Sequence, residues 1–387
     1  MSVNESEVDD LLGDLVRIDS VTPFLIPDGA GEAAIARFMA DWLAPLGVEV
    51  ELEEVEPGRP NLVATLRGSG GGRSLCLNAH SDTVGYANWA DRALVPERRG
   101  DRLIGVGVAD DKAACAVGLL ALRQLAHQAR SGTRLRGDVV LACTIDEEGA
   151  SIGTVDLLRR HSWDGAIVLE PHEVDLLVVE HQGFGWLDII VHGKASHGSA
   201  PDDGIDAIVH MAQVVDGLAA LDARFKAEPD PRNGRTVLHT GTISGGTDYA
   251  TYPSQAILGI EIGTQPGETM AARIADIEAI FADCRSRLPG FSAEIHVHVE
   301  RDPFKAAGHA ALLAAAQAAA GRVLGHSLQE VGLNAWTDAA LMQAAGIPTI
   351  LFGPTGGNLH APDEWVSLPT CVQAAEIVIA AATEFCA

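Results

Sequence analysis

Positive charge is what this sequence has least of. Lys and Arg number 27 against 53 Asp and Glu, a formal net charge of −26 at neutral pH. Such an excess repels a phosphate backbone and an anionic lipid surface, so neither nucleic acid nor membrane is an expected partner. Long hydrophobic runs are missing too, none coming near the roughly 18 apolar residues that span a bilayer. The opening stretch MSVNESEVDDLLGDLVRIDS is acidic and amphipathic, without the basic and apolar regions of a secretory signal. A soluble, cytoplasmic protein is therefore expected. Six cysteines (Cys76, Cys115, Cys143, Cys284, Cys371 and Cys386) are scattered, and no two stand in CxxC spacing. That excludes a thiolate metal site or redox pair of this type and reads as small core filler. There is no repeat of fixed period and no long linker; the only loose patch is 227–234, with its two prolines.

What is there is an ordinary globular chain of 387 residues, 47% hydrophobic and 21% charged. At roughly 150 residues per domain it divides into two or three domains. Helical periodicity marks 7–17 and 30–46, and a strand is expected after each. Beyond them short buried runs at 74–77, 138–145 and 166–169 alternate with helical stretches at 113–127 and 155–160. This is the pattern of an α/β domain with a mostly parallel sheet flanked by helices. After about residue 179 the pattern becomes apolar/polar alternation at 185–193, 235–243, 255–263 and 292–300, separated by helical segments at 205–221 and 270–288. Helix and buried strand then resume at 306–324 and 348–352. The expected organisation is a discontinuous catalytic domain, 1–179 and 300–387, with an inserted α+β domain at 180–299.

Four buried runs of the outer domain stop abruptly at polar groups. They run into Asn78-Ala79-His80-Ser81-Asp82, Asp146-Glu147-Glu148-Gly149, Glu170-Pro171-His172, and Gly353-Pro354 through His360. Ligands of parallel α/β sheets gather beyond the carboxyl ends of the strands, so these ends are expected to converge. A fifth piece is Gly105-x-Gly107-x-x-Asp110-x-Lys112, whose spacing matches neither the phosphate-binding loop nor the dinucleotide fingerprint. Taken singly, a histidine at a strand end is usually structural and a Glu-Glu pair usually solvated. Adjacent carboxylates after an apolar strand, however, raise each other's pKa unless a cation sits between them. His80, Asp110, Glu148, Glu170 and His360 form an imidazole and carboxylate set suited to Zn²⁺, Co²⁺ or Mn²⁺. Five ligands are too many for one four-coordinate ion and suit two divalent ions sharing a bridging carboxylate. Glu147 is then left over as a base.

His80-Ser81-Asp82-Thr83-Val84, the Gly105–Lys112 stretch, Asp146-Glu147-Glu148-Gly149, Glu170, Ser196-His197-Gly198-x-x-Pro201 and Gly353-Pro354 through His360-x-Pro362-Asp363-Glu364 occur in order over nearly the whole chain. Together they resemble the dinuclear zinc amidohydrolase and peptidase family of acetylornithine deacetylase, succinyl-diaminopimelate desuccinylase, aminoacylase and glutamate carboxypeptidase. The resemblance implies that Asp110 bridges two metal ions, His80 and Glu170 complete one site, and Glu148 and His360 the other. Asp82 matches the carboxylate that orients the His80 imidazole, and Glu147 the general base. The insert matches a dimerisation lid, whose His197 would stabilise the oxyanion in the partner subunit's active site. The implied activity is hydrolysis of an amide-type C–N bond in an N-acyl amino acid or small peptide.

The sequence departs from that pattern in the lid. Many relatives carry an Asn three residues before a proline and an Arg ten residues after it, which bind the substrate backbone and carboxylate. With Pro253 as that proline, the positions hold Ala250 and Gly263. Glycine cannot replace a guanidinium fork. Either another cation such as Arg235 or Arg301 substitutes, or the substrate is a non-peptide C–N compound, a reading that the lid aromatics Phe184, Trp186, Tyr249 and Tyr252 also motivate. A non-catalytic metal-binding protein would be expected to have lost Glu147 or a ligand.

Overall fold

The computed structural model describes residues 3–387. Its chain contacts define two compact units, one of Met1–Val179, Ala306–Glu330 and Thr337–Ala387, the other of Glu180–Lys305 and Val331–Trp336. The first is an α/β unit; the return expected at residue 300 comes at Ala306, and Val331–Trp336, expected in it, belongs to the second unit. Its centre is built from strands buried along their whole length: Leu75–His80, Val139–Thr144, Gly165–Leu169 and Thr349–Phe352. Strands buried on both faces read as continuous apolar runs, and that form goes with parallel pairing under helices. Here the order is Val139–Thr144, Leu75–His80, Gly165–Leu169, Thr349–Phe352, parallel throughout. An antiparallel pair, Glu49–Glu56 and Arg59–Leu66, extends one side, and antiparallel Leu176–His181 follows Thr349–Phe352.

The register levels the strand ends. His80 lies beside Thr144, and Leu169 beside Phe352. Side chains just past these residues are therefore delivered to one edge. The ends also approach closely: a Cβ on Gly353 would stand 2.0 Å from the Glu170 carbonyl oxygen, so only glycine fits there. Helix Lys112–Arg130 lies on the sheet with Gly118 against Leu141, where a Cβ would meet the Leu141 methyl at 2.4 Å.

Helix Leu368–Phe385 is, by length and composition alone, long and apolar enough to cross a membrane. It is a core helix, with Ala374, Ala375, Val378, Ala381, Ala382 and Phe385 buried and its contacts made to helices Lys112–Arg130 and Ala310–Val323. A second difference concerns the expected strand after the first helix. Helix Glu5–Val16 is followed only by an isolated bridge from Val21 to Thr83. Pro23, Pro27, Gly29 and Gly31 cannot sustain a ladder there. All six cysteines are buried and unpaired, as core filler should be.

The second unit is a four-stranded antiparallel sheet in the order Leu238–Gly245, Gln255–Thr264, Gly183–His192, Ser292–Arg301. Strand Gly183–His192 alternates buried and half-buried residues, and Leu187, Ile189 and Val191 face helices Ala207–Ala227 and Met270–Arg287. Met211, Val214, Leu218, Ile277 and Phe281 close that core.

Candidate metal centre

His80 ends one of the parallel strands, Glu148 and Glu170 follow the ends of two others, and Asp110 and His360 come from loops. His80 is buried. Its Nε2 lies 2.8 Å from Asp110 Oδ1. The other carboxylate oxygen of Asp110 faces the second imidazole, with His360 Nε2 3.4 Å from Oδ2. His360 Nε2 is also 2.9 Å from Glu148 Oε1. Asp110 thus stands between two histidines with one oxygen toward each, the disposition a bridging carboxylate needs. Donor atoms of His80, Asp110 and Glu148 lie within 4.8 Å of one another, and so do those of His80, Glu147 and Glu170.

Asp82 does more than the sequence indicated. The His80 Nδ1 is 3.1 Å from the Asp82 backbone carbonyl and 3.4 Å from its carboxylate, so the imidazole is oriented by this residue through two oxygens. The same carboxylate accepts the backbone N–H groups of Glu147 and Glu148, each at 3.1 Å. Asp82 therefore holds the loop that carries both glutamates. That loop begins at Asp146, whose φ of +65° turns the chain sharply out of the strand. Thr22 Oγ1 donates to Asp146 at 2.7 Å and Arg59 at 3.0 Å, and the Arg59 guanidinium is shared with buried Glu32.

The electrostatics test whether metal ions fit. Burial raises the pKa of Glu147 well above the ordinary glutamate value, and the charge of Glu170 adds to it. Burial likewise raises Glu170, followed by the charge of Asp111, and raises Glu148, followed by that of Asp110. His360 is pushed up to about 11 by its hydrogen bonds to Asp110 and Glu148. Burial would lower His80, but its bonds to Asp110 and Asp82 hold it well above its usual range. Among the described residues no Lys or Arg forms an ion pair with Asp110, Glu147, Glu148 or Glu170. Carboxylates gathered without a cation of their own, alternating with imidazoles, are what divalent ions neutralise. The donor set fits.

Sequence reasoning passed over three neighbours. Asp111 Oδ2 accepts the His80 backbone N–H at 3.1 Å. Asp338 is buried, with Thr144 Oγ1 at 3.4 Å and a short bond from Thr154, so it ties together the two ends of the glutamate loop. Burial pushes its pKa up to about 6. Nothing in Trp336-Thr337-Asp338 marks it, because neither periodicity nor an apolar run leads into it. Glu364 belongs to the quoted motif, but no part was assigned to it.

His197 belongs to the second unit and is exposed. Its Nδ1 accepts the Ser199 backbone N–H at 3.2 Å. The same nitrogen lies 2.7 Å from Ser199 Oγ. Gly263, where the resemblance led one to expect arginine, has its side-chain space filled: a Cβ would stand 2.7 Å from Gln182 Oε1. The Gln182 amide is spent internally, accepting from Val237 N at 3.1 Å and donating to Arg235 O at 2.8 Å. Of the two alternative cations, Arg235 pairs with Asp222, and the Arg301 guanidinium carbon lies 5.8 Å from the Trp336 ring centroid.

Among the described residues, two imidazoles and four carboxylates gathered without a Lys or Arg partner are a donor set that could hold metal ions. The chain belongs to peptidase family M20/M25/M40, whose sequence profile matches residues 76–384. It is thus a hydrolase of amide-type C–N bonds. Among curated relatives, an N-formyl-4-amino-5-aminomethyl-2-methylpyrimidine deformylase of Bacillus subtilis is 26% identical, covering 91% of this chain and 89% of the relative. An acetylornithine deacetylase of Proteus mirabilis is also 26% identical, over 93% and 91%. Among solved structures, a tripeptidase of Staphylococcus aureus superposes with a TM-score of 0.81 at 23% identity, covering 98% of each chain. A dinuclear metal-binding peptidase of the M20 family from Bacillus subtilis gives 0.70 at 18% identity, over 98% and 97%.

Proposed function

We propose that this protein is a two-metal hydrolase that deacylates an N-acyl amino acid or cleaves a small peptide, with Glu147 as its general base. The observation that carries this reading is Asp110 set between His80 and His360 with Glu147 beside the cluster and bonded to neither imidazole. His80, Asp110 and Glu170 would hold one ion, and Glu148, Asp110 and His360 the other. Zinc is the ion this set suits best, with cobalt and manganese as substitutes. Bound there, the ions supply Lewis acidity and make water acidic enough to deprotonate near neutral pH.

The chain's own residues do the rest. Glu147 takes a proton from the attacking water and passes it to the leaving nitrogen. Asp82 keeps Glu147 and Glu148 in place through their backbone. His197 of the partner subunit would donate to the oxyanion as it develops on the carbonyl. A homodimer through the lid is supported by exposed Ile208, Val209, Ile243 and Tyr249 in the second unit, where strand Leu238–Gly245 is an open edge. We place the enzyme in the cytoplasm.

A second reading, hydrolysis of a non-peptide C–N bond, is favoured by Gly263 and the Gln182 amide that fills its space. The name of the pyrimidine deformylase relative agrees with it. The two readings separate in a screen of the metal-loaded enzyme on N-acetyl and N-formyl amino acids, dipeptides, and N-acyl amines that lack a carboxylate. The first predicts kcat/KM at least about tenfold higher for carboxylate-bearing substrates, roughly the 1–3 kcal/mol that one positioned charge contact supplies. The reverse order establishes the second, and no turnover of any of them contradicts both.

A further inference from the structure

We infer that Glu364 is a positioning residue that fixes Asp110 between the two ion sites and so couples their occupancy. The inference rests on the metal-centre reading above. Its physical basis is a hydrogen-bond pattern. The Glu364 carboxylate is buried and accepts three backbone N–H groups of the glycine loop: Ala109 at 2.9 Å and Asp110 at 3.0 Å on Oε1, Gly107 at 2.9 Å on Oε2. Its backbone carbonyl accepts a fourth, from Gly105 at 3.1 Å. Loop 105–110 is therefore wrapped around one residue, as successive backbone N–H groups wrap an anion. Gly107 makes the wrap feasible, since its φ is +65° and a Cβ would stand 2.2 Å from Thr83 Cγ2.

The residue that holds this loop lies four positions after His360. Between them Asp363 is gripped by Arg92, and Asn358 Nδ2 donates to the Asp363 carbonyl at 3.2 Å. Asn358, His360 and Asp363 all have positive φ, so this segment has one narrowly defined path. The chain that supplies one ion's histidine thus also sets the backbone from which the bridging carboxylate projects. Asp82 stands in the same relation on the opposite flank: it follows His80 and holds the backbone of Glu147 and Glu148. Each histidine segment anchors the carboxylate segment facing it. Because Asp110 serves both ions, loosening Glu364 weakens both, not only the site nearest His360.

Glu364→Gln keeps the oxygen that serves Ala109 and Asp110 and sets an amide, which cannot accept, against Gly107. Glu364→Ala removes both side-chain acceptors and with them all three hydrogen bonds. Partners of ligands typically contribute 10–100-fold to metal affinity. We expect cobalt affinity, measured by titration of the metal-free protein, to fall about tenfold in the glutamine variant and about 100-fold in the alanine variant, for both ions together. The visible spectrum of the cobalt-loaded glutamine variant should shift. In metal-free wild-type protein the amides of Gly107, Ala109 and Asp110 should exchange more slowly than that of the exposed turn at Gly267. Variants that bind two cobalt ions with wild-type affinity and spectrum, or loop amides that exchange as fast as that turn, overturn the assignment. If the alanine variant does not fold, the glutamine variant and the wild-type exchange decide the matter. A wild-type protein that binds no cobalt contradicts the metal-centre reading, while amide protection still tests the clamp.

Discussion

Replacing Glu147 with glutamine is expected to lower kcat by about 10²–10⁴-fold, the range general acid/base catalysis supplies, while leaving two metal ions bound. The separation follows from position. Glu147 and Glu148 are neighbours on one loop, yet only Glu148 contacts His360, and Glu147 makes no bond to either histidine. Both are held by Asp82 through backbone N–H groups, which a side-chain amide does not disturb. Glutamine has nearly the shape of glutamate, so it tests the loss of a proton acceptor with little change in packing. A variant of unimpaired rate, measured under saturating substrate, assigns the base elsewhere. A variant that has lost metal makes Glu147 a ligand.

Asp110→Ala should have the opposite signature. Its two oxygens face His80 and His360, so one substitution removes a ligand from both ion sites. Metal content should fall from two ions per chain to near zero at micromolar metal, with activity lost in proportion. The backbone of loop 105–110 should stay intact, because Glu364 holds it through N–H groups. Circular dichroism of the metal-free variant should therefore match that of metal-free wild type. Retention of one tightly bound ion identifies Asp110 as a terminal ligand of a single site and excludes a bridge.

Much of this was legible in the sequence for a physical reason. A strand buried on both faces has to be apolar, so the residue at which it turns polar marks the sheet edge; His80 and Glu170 announce themselves in this way. The same logic fails where the polar group does not end an apolar run. Asp338 stands in an irregular stretch, and its partners Thr144 and Thr154 lie far away in sequence. Glu364 was visible as a motif letter, but its task depends on three backbone N–H groups of a loop more than 250 residues earlier. Asp82 was placed beside His80 by the family resemblance, which says nothing of the glutamate loop. The prolines and glycines between residues 23 and 31, in contrast, could have warned against a strand there. The fold of helix Leu368–Phe385 was not distinguished from its surroundings because its alanines carry little hydrophobic contrast.

The account turns on two ions sharing Asp110. The direct measurement is metal content per chain by mass spectrometry, on wild-type protein stripped with chelator, reloaded with zinc and freed of excess. The account predicts close to two ions per wild-type chain, returning together with activity. A protein that takes up no zinc, or that is fully active while metal-free, would contradict it.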